Sequence, residues 1–181
     1  MRIFICCAQC MRISIAIFIL VLSSCGETEK RSQNKQPEDR LERIDVISFK
    51  FEHSLRIPFY KVSIEITKRY NGIYLELHSS PKDGFKNWEN TRIDTTFLID
   101  ANTFNKVLNS VRKISSQDLE SSLVSGEDGT SCEIRYGNFQ NAISYLVWTP
   151  GLESATRKTE NFLMACKEII IAAKLDPNKI L

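Results

Sequence analysis

Cysteine and histidine are the residue types best suited to covalent, metal-binding or proton-transfer chemistry, and this 181-residue chain has six cysteines and two histidines. Cys132 shares a predicted strand face with Ile134 and Tyr136, and Cys166 lies in the apolar stripe of a predicted helix. Packing of that helix on that strand would bring the two thiols together. They are therefore candidates for a disulfide. The alternative is two separately buried, inert thiols, since free cysteine is common in protein cores.

His78 is the histidine with acidic neighbours. In the hairpin predicted below it lies opposite Glu65, with Glu76 two residues away. A histidine between two carboxylates is suited to binding a metal ion or transferring a proton. The alternative, which we favour, is a solvated cross-strand charge pair worth about a few tenths of a kcal/mol.

Motifs of the common enzyme classes do not occur in the chain. There is no G-x-S-x-G nucleophile elbow, no Walker loop, no G-x-G-x-x-G and no H-E-x-x-H. Cys132 and Cys166 also lack a sequence-adjacent activating base, which disfavours a cysteine nucleophile. We therefore expect no catalytic residue, no metal site and no cofactor, although catalytic residues that are distant in sequence leave no local motif.

Aromatic residues in polar surroundings are the candidates for binding a partner. Phe85 and Trp88 lie in the polar segment 79–92, and loops of this length are often binding elements. Trp148 ends a predicted strand on the face that also carries Leu146. Tryptophan is favoured at interface hot spots. The alternatives are that Phe85 and Trp88 cap the open end of the core, and that Trp148 covers another segment of the chain.

The first 24 residues have the composition of an export signal. The ten residues from Ile13 to Leu22 include a single polar residue. As a helix they would be about 15 Å long, half of a hydrocarbon core of about 30 Å. This length suits the hydrophobic region of a signal peptide, not a transmembrane span. Arg2 and Arg12 supply positive charge, and translation starts at Met1 or at Met11.

The residues Leu22-Ser23-Ser24-Cys25, at the end of this apolar run, resemble the lipobox of bacterial lipoproteins. The resemblance implies cleavage before Cys25 and its modification with diacylglycerol and a further acyl chain such as palmitate. Two or three such chains anchor a protein to a membrane essentially permanently. The alternative is an ordinary secretory signal, with Cys25 a spare thiol. Either reading predicts export to the cell envelope, where disulfides persist.

Residues 25–43 are predicted to be the acylated cysteine and a flexible charged tether, followed by a single domain over 44–181. Residues 26–43 contain ten charges, five of each sign, and one aliphatic residue, Leu41. Their root-mean-square reach as a coil is about 23 Å. The end of this run is alternatively the first turn of a helix that leads into Leu41 and Ile44.

The charge balance argues against nucleic acid as a partner. Two of the 24 basic residues precede Cys25, which leaves 22 basic and 22 acidic residues in the mature chain. A formal charge near zero provides no global basic field. The expected partners are the membrane, through the lipid anchor, and a protein in the envelope.

Alternating apolar residues predict a hairpin of two strands around Asn71-Gly72, with Tyr70 paired to Ile73 and Ile66 to Leu77. Further strands are predicted over about 45–52, 93–99, 130–136 and 142–148. Helices are predicted over about 101–114, with Asp100 as the N-cap, and over about 162–173, ended by Asp176-Pro177. The order β-β-β-β-α-β-β-α predicts an α+β fold, an antiparallel sheet of about six strands with two helices packed on one face.

These expectations combine into a membrane-anchored bacterial envelope lipoprotein whose domain binds a protein partner or an envelope ligand. An inhibitor, immunity or accessory role fits the same features. Two alternatives stay open, a small envelope hydrolase that uses Glu65, Glu76 and His78, and a purely structural lipoprotein.

Overall fold

A computed structural model describes residues 43–53, 59–81, 92–120, 126 and 128–181, all of which belong to one compact unit. The strands are β1 Val46–His53, β2 Lys61–Arg69, β3 Gly72–Ser80, β4 Ile93–Ile99, β5 Thr130–Gly137 and β6 Ala142–Trp148. The helices are α1 Ala101–Val111, α2 Ser116–Glu120, α3 Ser154–Arg157, α4 Glu160–Ala172 and α5 Pro177–Ile180. None of these helices is both long enough and apolar enough to span a membrane.

The six strands form one sheet in the order β4-β3-β2-β1-β5-β6, and every neighbouring pair is antiparallel. The predicted α+β fold, with a six-stranded antiparallel sheet and helices packed on it, is confirmed. The first strand in the chain lies inside the sheet, between β2 and β5, because the hairpin β5–β6 adds to its free side.

One face of the sheet is buried because apolar residues recur at every second position of the central strands. In β1, Ile47, Phe49 and Phe51 are at most 2% exposed, whereas Lys50 and Glu52 point to the other face and are exposed. Helices α1 and α4 pack against each other, and their buried residues belong to the same core cluster. The helices thus cover the apolar face.

Helix α1 begins as the sequence predicts. The Asp100 side chain accepts a hydrogen bond from the Thr103 amide at 2.9 Å, as an N-cap should. The hydrogen bonds from Thr103 lower the pKa of Asp100. The helix ends at Val111, three residues before the predicted end, although Ile114 is still buried in the core.

The register predicted for the β2–β3 hairpin is wrong by two residues. Arg69 pairs with Gly72 and Ile66 with Leu75, so the turn consists of Tyr70 and Asn71. A type I′ turn at Asn71-Gly72 needs positive φ at both central residues, and Asn71 does not have it, whereas Gly72 has a φ of 148°. The turn therefore moves one residue toward the N-terminus, and the two-residue shift leaves every side chain on its predicted face.

The predicted role of Asp176-Pro177 as the end of the last long helix is also wrong. Helix α4 ends at Ala172, and Lys174 follows with a left-handed φ of 60°. The Asp176 side chain accepts a hydrogen bond from the Asn178 amide at 3.0 Å and so begins helix α5, with Pro177 in its first turn.

Candidate functional site

The face of the sheet that points away from the helices carries mainly polar residues, and the strand register arranges them in rows. One row runs across all six strands: Asp94, His78, Ser63, Lys50, Glu133 and Leu146. The next row toward the end of β1 consists of Ser80, Lys61, Glu52, Ser131 and Trp148. Side chains from all six strands thus lie side by side on this face.

All residues of these two rows except Asp94 and Trp148 line a shallow hollow of about 410 Å³, here called the distal hollow. Its side-chain lining includes Lys50, Glu52, Lys61, Ser63, His78, Ser80, Ser131, Glu133 and Leu146. Leu146 is 68% exposed and gives the hollow one apolar side. Because the hollow lies near the last residues of β1, it is at the opposite end of the sheet from Val46.

Opposite charges alternate along the distal hollow. Lys61 Nζ lies 3.2 Å from Glu52 Oε1, and Lys50 Nζ lies 3.7 Å from Glu133 Oε2. The Ser144 hydroxyl donates a hydrogen bond of 2.7 Å to Glu133. Exposed ion pairs of this kind are worth about 0–1 kcal/mol, so they contribute little to folding and are easily rearranged by a charged ligand.

His78 does not lie opposite Glu65, because of the two-residue shift in register. It pairs with Ser63 on one side and with Asp94 on the other, and its Nδ1 lies 3.0 Å from Asp94 Oδ1. Glu65 instead lies opposite Glu76. No group of three or more histidine, cysteine or acidic residues capable of holding a metal ion occurs in the described part of the chain.

Trp148 lies half-buried beside the distal hollow, on the sheet face that the strand pattern predicts. A Cβ added to Gly126 would lie 2.5 Å from its indole ring, and one added to Gly129 would lie 2.6 Å from it. Glycine is required at this contact because any larger residue would collide with the ring. Trp148 therefore packs against Gly126 and Gly129, shortly before β5. Phe85 and Trp88, the other two candidates, lie outside the described residues.

Arg157 is a feature of the distal end that the sequence analysis missed. It is 7% exposed, and its guanidinium donates hydrogen bonds to three main-chain carbonyl oxygens, one at the end of β6 and two in the turn that follows. Nη2 donates to Trp148 at 2.8 Å, and Nη1 donates to Thr149 at 2.8 Å and to Leu152 at 3.2 Å. A basic residue in a short polar helix carries no sequence signal of burial, which explains the omission.

The backbone that Arg157 holds is strained. Thr149, Glu153 and Lys158 have φ values of 42°, 47° and 56°, a backbone region that residues other than glycine rarely adopt. The Thr159 hydroxyl donates to the Pro150 carbonyl at 2.8 Å and so satisfies a fourth backbone group of the same turn. Such strain persists only where the surrounding contacts over-determine the conformation.

Cys132 and Cys166 are brought together by the packing of α4 on β5. Both are fully buried free thiols that form a hydrogen bond with each other. Burial raises the pKa of the Cys166 thiol well above its usual value, and the hydrogen bond and the charge of Cys132 raise it further. The two residues are thus neighbours, not separately buried, and the raised pKa of Cys166 is the opposite of what a reactive thiolate needs.

Comparisons with known proteins do not assign a family to this arrangement. No protein-family model matches the chain, and none of the curated proteins matches it. Cys25 and the residues of the lipobox lie outside the described residues.

Replacement of Arg157 by methionine is expected to lower the free energy of unfolding by about 3 kcal/mol, because it leaves buried carbonyl oxygens without donors. Urea denaturation followed by tryptophan fluorescence measures the change. Arg157→Lys should recover less than half of the loss, since one ammonium cannot replace the two guanidinium nitrogens. The exposed Arg112→Met is the matched control, expected within about 0.5 kcal/mol of the parent. Equal stabilities of the Arg157→Met and Arg112→Met variants would contradict this role.

Proposed function

We propose that this protein is a bacterial envelope lipoprotein, anchored through acylated Cys25, whose domain binds a polar partner at the distal hollow. The observation that carries the proposal is the position of the hollow, at the end of the open sheet face opposite to the end where the N-terminal segment enters. The chain that leads back to Cys25 joins the domain at Arg43, next to the start of β1, whereas the hollow lies near the end of β1. The lipobox resemblance of residues 22–25 supports the anchor.

The chemistry of the distal hollow favours an envelope protein segment that carries both positive and negative side chains. Lys50 and Lys61 present cations, and Glu52 and Glu133 present carboxylates, all within two adjacent rows. A partner of the same mixed charge replaces each weak ion pair without leaving an unpaired charge, whereas a ligand of a single sign meets repulsion from half of the lining. Leu146 supplies an apolar contact beside these charges.

Mass spectrometry of the protein extracted from its own membrane tests the anchor. We expect a mature chain that begins at Cys25 and carries two or three acyl chains. The variant Cys25→Ala should fail to be acylated and should leave the membrane fraction. A wild-type chain that begins elsewhere, or that carries no lipid, would refute the lipoprotein assignment.

Site-specific photo-crosslinking tests the distal hollow. A photo-crosslinking residue at Leu146 should trap a partner in the envelope, whereas the same residue at Met164, which is 54% exposed on α4, should not. The double variant Lys50→Glu, Lys61→Glu should reduce the Leu146 crosslink at least about tenfold, because the hollow then becomes uniformly acidic. Crosslinking that is equal at both positions, or unaffected by the charge reversal, would place binding elsewhere.

A small envelope hydrolase is the second candidate, and it has one specific observation in its favour. Asp94, His78 and Ser63 lie side by side on three adjacent strands. His78 is within hydrogen-bonding distance of Asp94, and Ser63 occupies the next position of the row. This order of acid, base and hydroxyl is that of a nucleophilic triad. If the crosslinked partner is cleaved by the wild-type protein, and cleavage is lost in both the His78→Ala and the Ser63→Ala variants, hydrolysis is favoured over binding.

We also propose that Cys132 and Cys166 form a disulfide in the exported protein. Two thiols lose two protons and two electrons to an external disulfide, such as oxidised glutathione or a thiol-disulfide oxidoreductase, which is reduced to two thiols. Both cysteines are buried in the folded domain, so the exchange takes place while the chain folds. The bond links β5 to α4 across the core.

Thiol counting after denaturation without reductant tests this bond. Mature protein from the envelope should contain no free thiol at Cys132 or Cys166, whereas protein made in a reducing cytoplasm should contain two. Loss of the bond should lower the Tm by about 10 °C, as expected for a closed loop of this length. Refolding the reduced chain with oxidised glutathione repeats the test independently of export. Two free thiols under both oxidising conditions would refute the disulfide.

A further inference from the structure

The N-terminal segment enters the domain between two hairpin tips. The Asp45 amide donates to the Gly137 carbonyl at 2.8 Å, and the Lys68 amide donates to the Asp45 carbonyl at 2.7 Å. These bonds place residue 45 between the end of β2 and the end of β5. The tips of the hairpins β2–β3 and β5–β6 therefore flank the point where the chain continues toward Cys25. This end of the domain is here called the proximal end.

The proximal end exposes apolar side chains. Tyr70, in the first hairpin turn, is 101% exposed, and Phe139, in the second, is 81% exposed. Leu98, near the end of β4, is 62% exposed, and Ile171, in the last turn of α4, is 54% exposed. These four are the majority of the seven large hydrophobic residues that are exposed in the described part of the chain. The tips are about 14 Å apart, or three strand spacings of about 4.8 Å.

The charged groups of the proximal end are largely matched by neighbours. Arg43 Nε lies 2.7 Å from Asp45 Oδ2, and Arg69 lies 3.6 Å from Glu76. Two lysine ammonium groups lie over aromatic rings, that of Lys68 at 5.9 Å from the Phe104 centroid and that of Lys174 at 4.6 Å from the Phe97 centroid. The remaining charged groups near the exposed Leu98 and Ile171 are those of Asp100, Lys106 and Glu168. The apolar tips therefore protrude from a surface of mixed charge.

We propose that the proximal end rests on the lipid surface to which the protein is anchored, with the Tyr70 and Phe139 side chains in the headgroup region. This inference rests on the proposed lipid anchor. The occupant is a membrane because the chain leaves the domain between these two tips, and Cys25 precedes Arg43 by eighteen residues. Exposed aromatic side chains favour the membrane–water interface.

The anchor makes a weak contact sufficient. A tether of this length, with a root-mean-square reach of about 23 Å, holds the domain at a millimolar effective concentration near the surface. Contacts too weak to recruit a free protein then orient a tethered one. The contact relies on apolar side chains among matched charges, so it should persist on zwitterionic lipid. In this orientation the distal hollow points away from the membrane.

Quenching of tryptophan fluorescence by lipids with brominated acyl chains tests this orientation. Acylated full-length protein is reconstituted in phosphatidylcholine vesicles as the variants Tyr70→Trp, Phe139→Trp and Leu152→Trp. Leu152 is the matched control because it is 47% exposed and follows β6 at the distal end. After subtraction of the signal of the parent protein, we expect at least about twofold more quenching at positions 70 and 139 than at 152.

Equal quenching at the three positions would overturn the proposed orientation. The orientation would also be overturned if the tryptophans at positions 70 and 139 were shielded from a water-soluble quencher in native membranes but not in phosphatidylcholine vesicles. That result would assign the tips to a protein partner. If Cys25 is not acylated in the cell, the lipoprotein proposal fails. In that case the purified protein does not co-float with the vesicles when they are centrifuged through a density gradient. The same three variants, each beginning at Cys25 and coupled through that thiol to a maleimide lipid, then still report whether the proximal end contacts lipid.

Discussion

Burial of one face of the sheet beneath α1 and α4 is the interaction on which the remaining features depend. Many large apolar side chains of the described residues are less than 2% exposed, and each contributes about 1.5–3 kcal/mol, whereas the exposed ion pairs contribute at most about 1 kcal/mol each. The core therefore sets the orientation of every strand. Because side chains alternate along a strand, burying Ile47, Phe49 and Phe51 forces Lys50 and Glu52 onto the open face. The polar rows of the distal hollow are a consequence of the apolar face behind them.

The antiparallel topology gives the two ends of the sheet different properties. Both tight hairpin turns lie at the end where β1 begins, so the exposed Tyr70 and Phe139 lie on either side of the entering chain. The opposite end carries the glycines that approach Trp148 and the turn between β6 and α4. The proposed membrane contact and the proposed binding site are thus separated by the length of the strands, about 25 Å for eight residues.

Two buried polar residues, Arg157 and Thr159, lie where the last helices join the sheet. Arg157 satisfies three carbonyl oxygens of a turn whose backbone includes left-handed residues, and this turn sets the start of α4. The same helix then brings Cys166 against Cys132 on β5. The proposed disulfide would fasten the helix to the sheet at that point. The Arg157 contacts hold in place the packing that leaves the other face open.

Local patterns in the chain were enough to predict the order of the six strands and two long helices, the fold class and the Asp100 cap. They also predicted the face on which each hairpin side chain lies and the burial of both cysteines, because these depend on residues a few positions apart. The three short helices were not predicted. The register of β2–β3 was predicted wrongly, since a two-residue slip keeps the same faces and only the φ values at Asn71 and Gly72 distinguish the two turns. The pairing of His78 with Asp94, the clamp made by Arg157 and the meeting of five strands in the distal hollow could not be read from the chain. They arise from contacts between residues that are distant in sequence, and those contacts form only when the apolar face is buried and strand order and register are set.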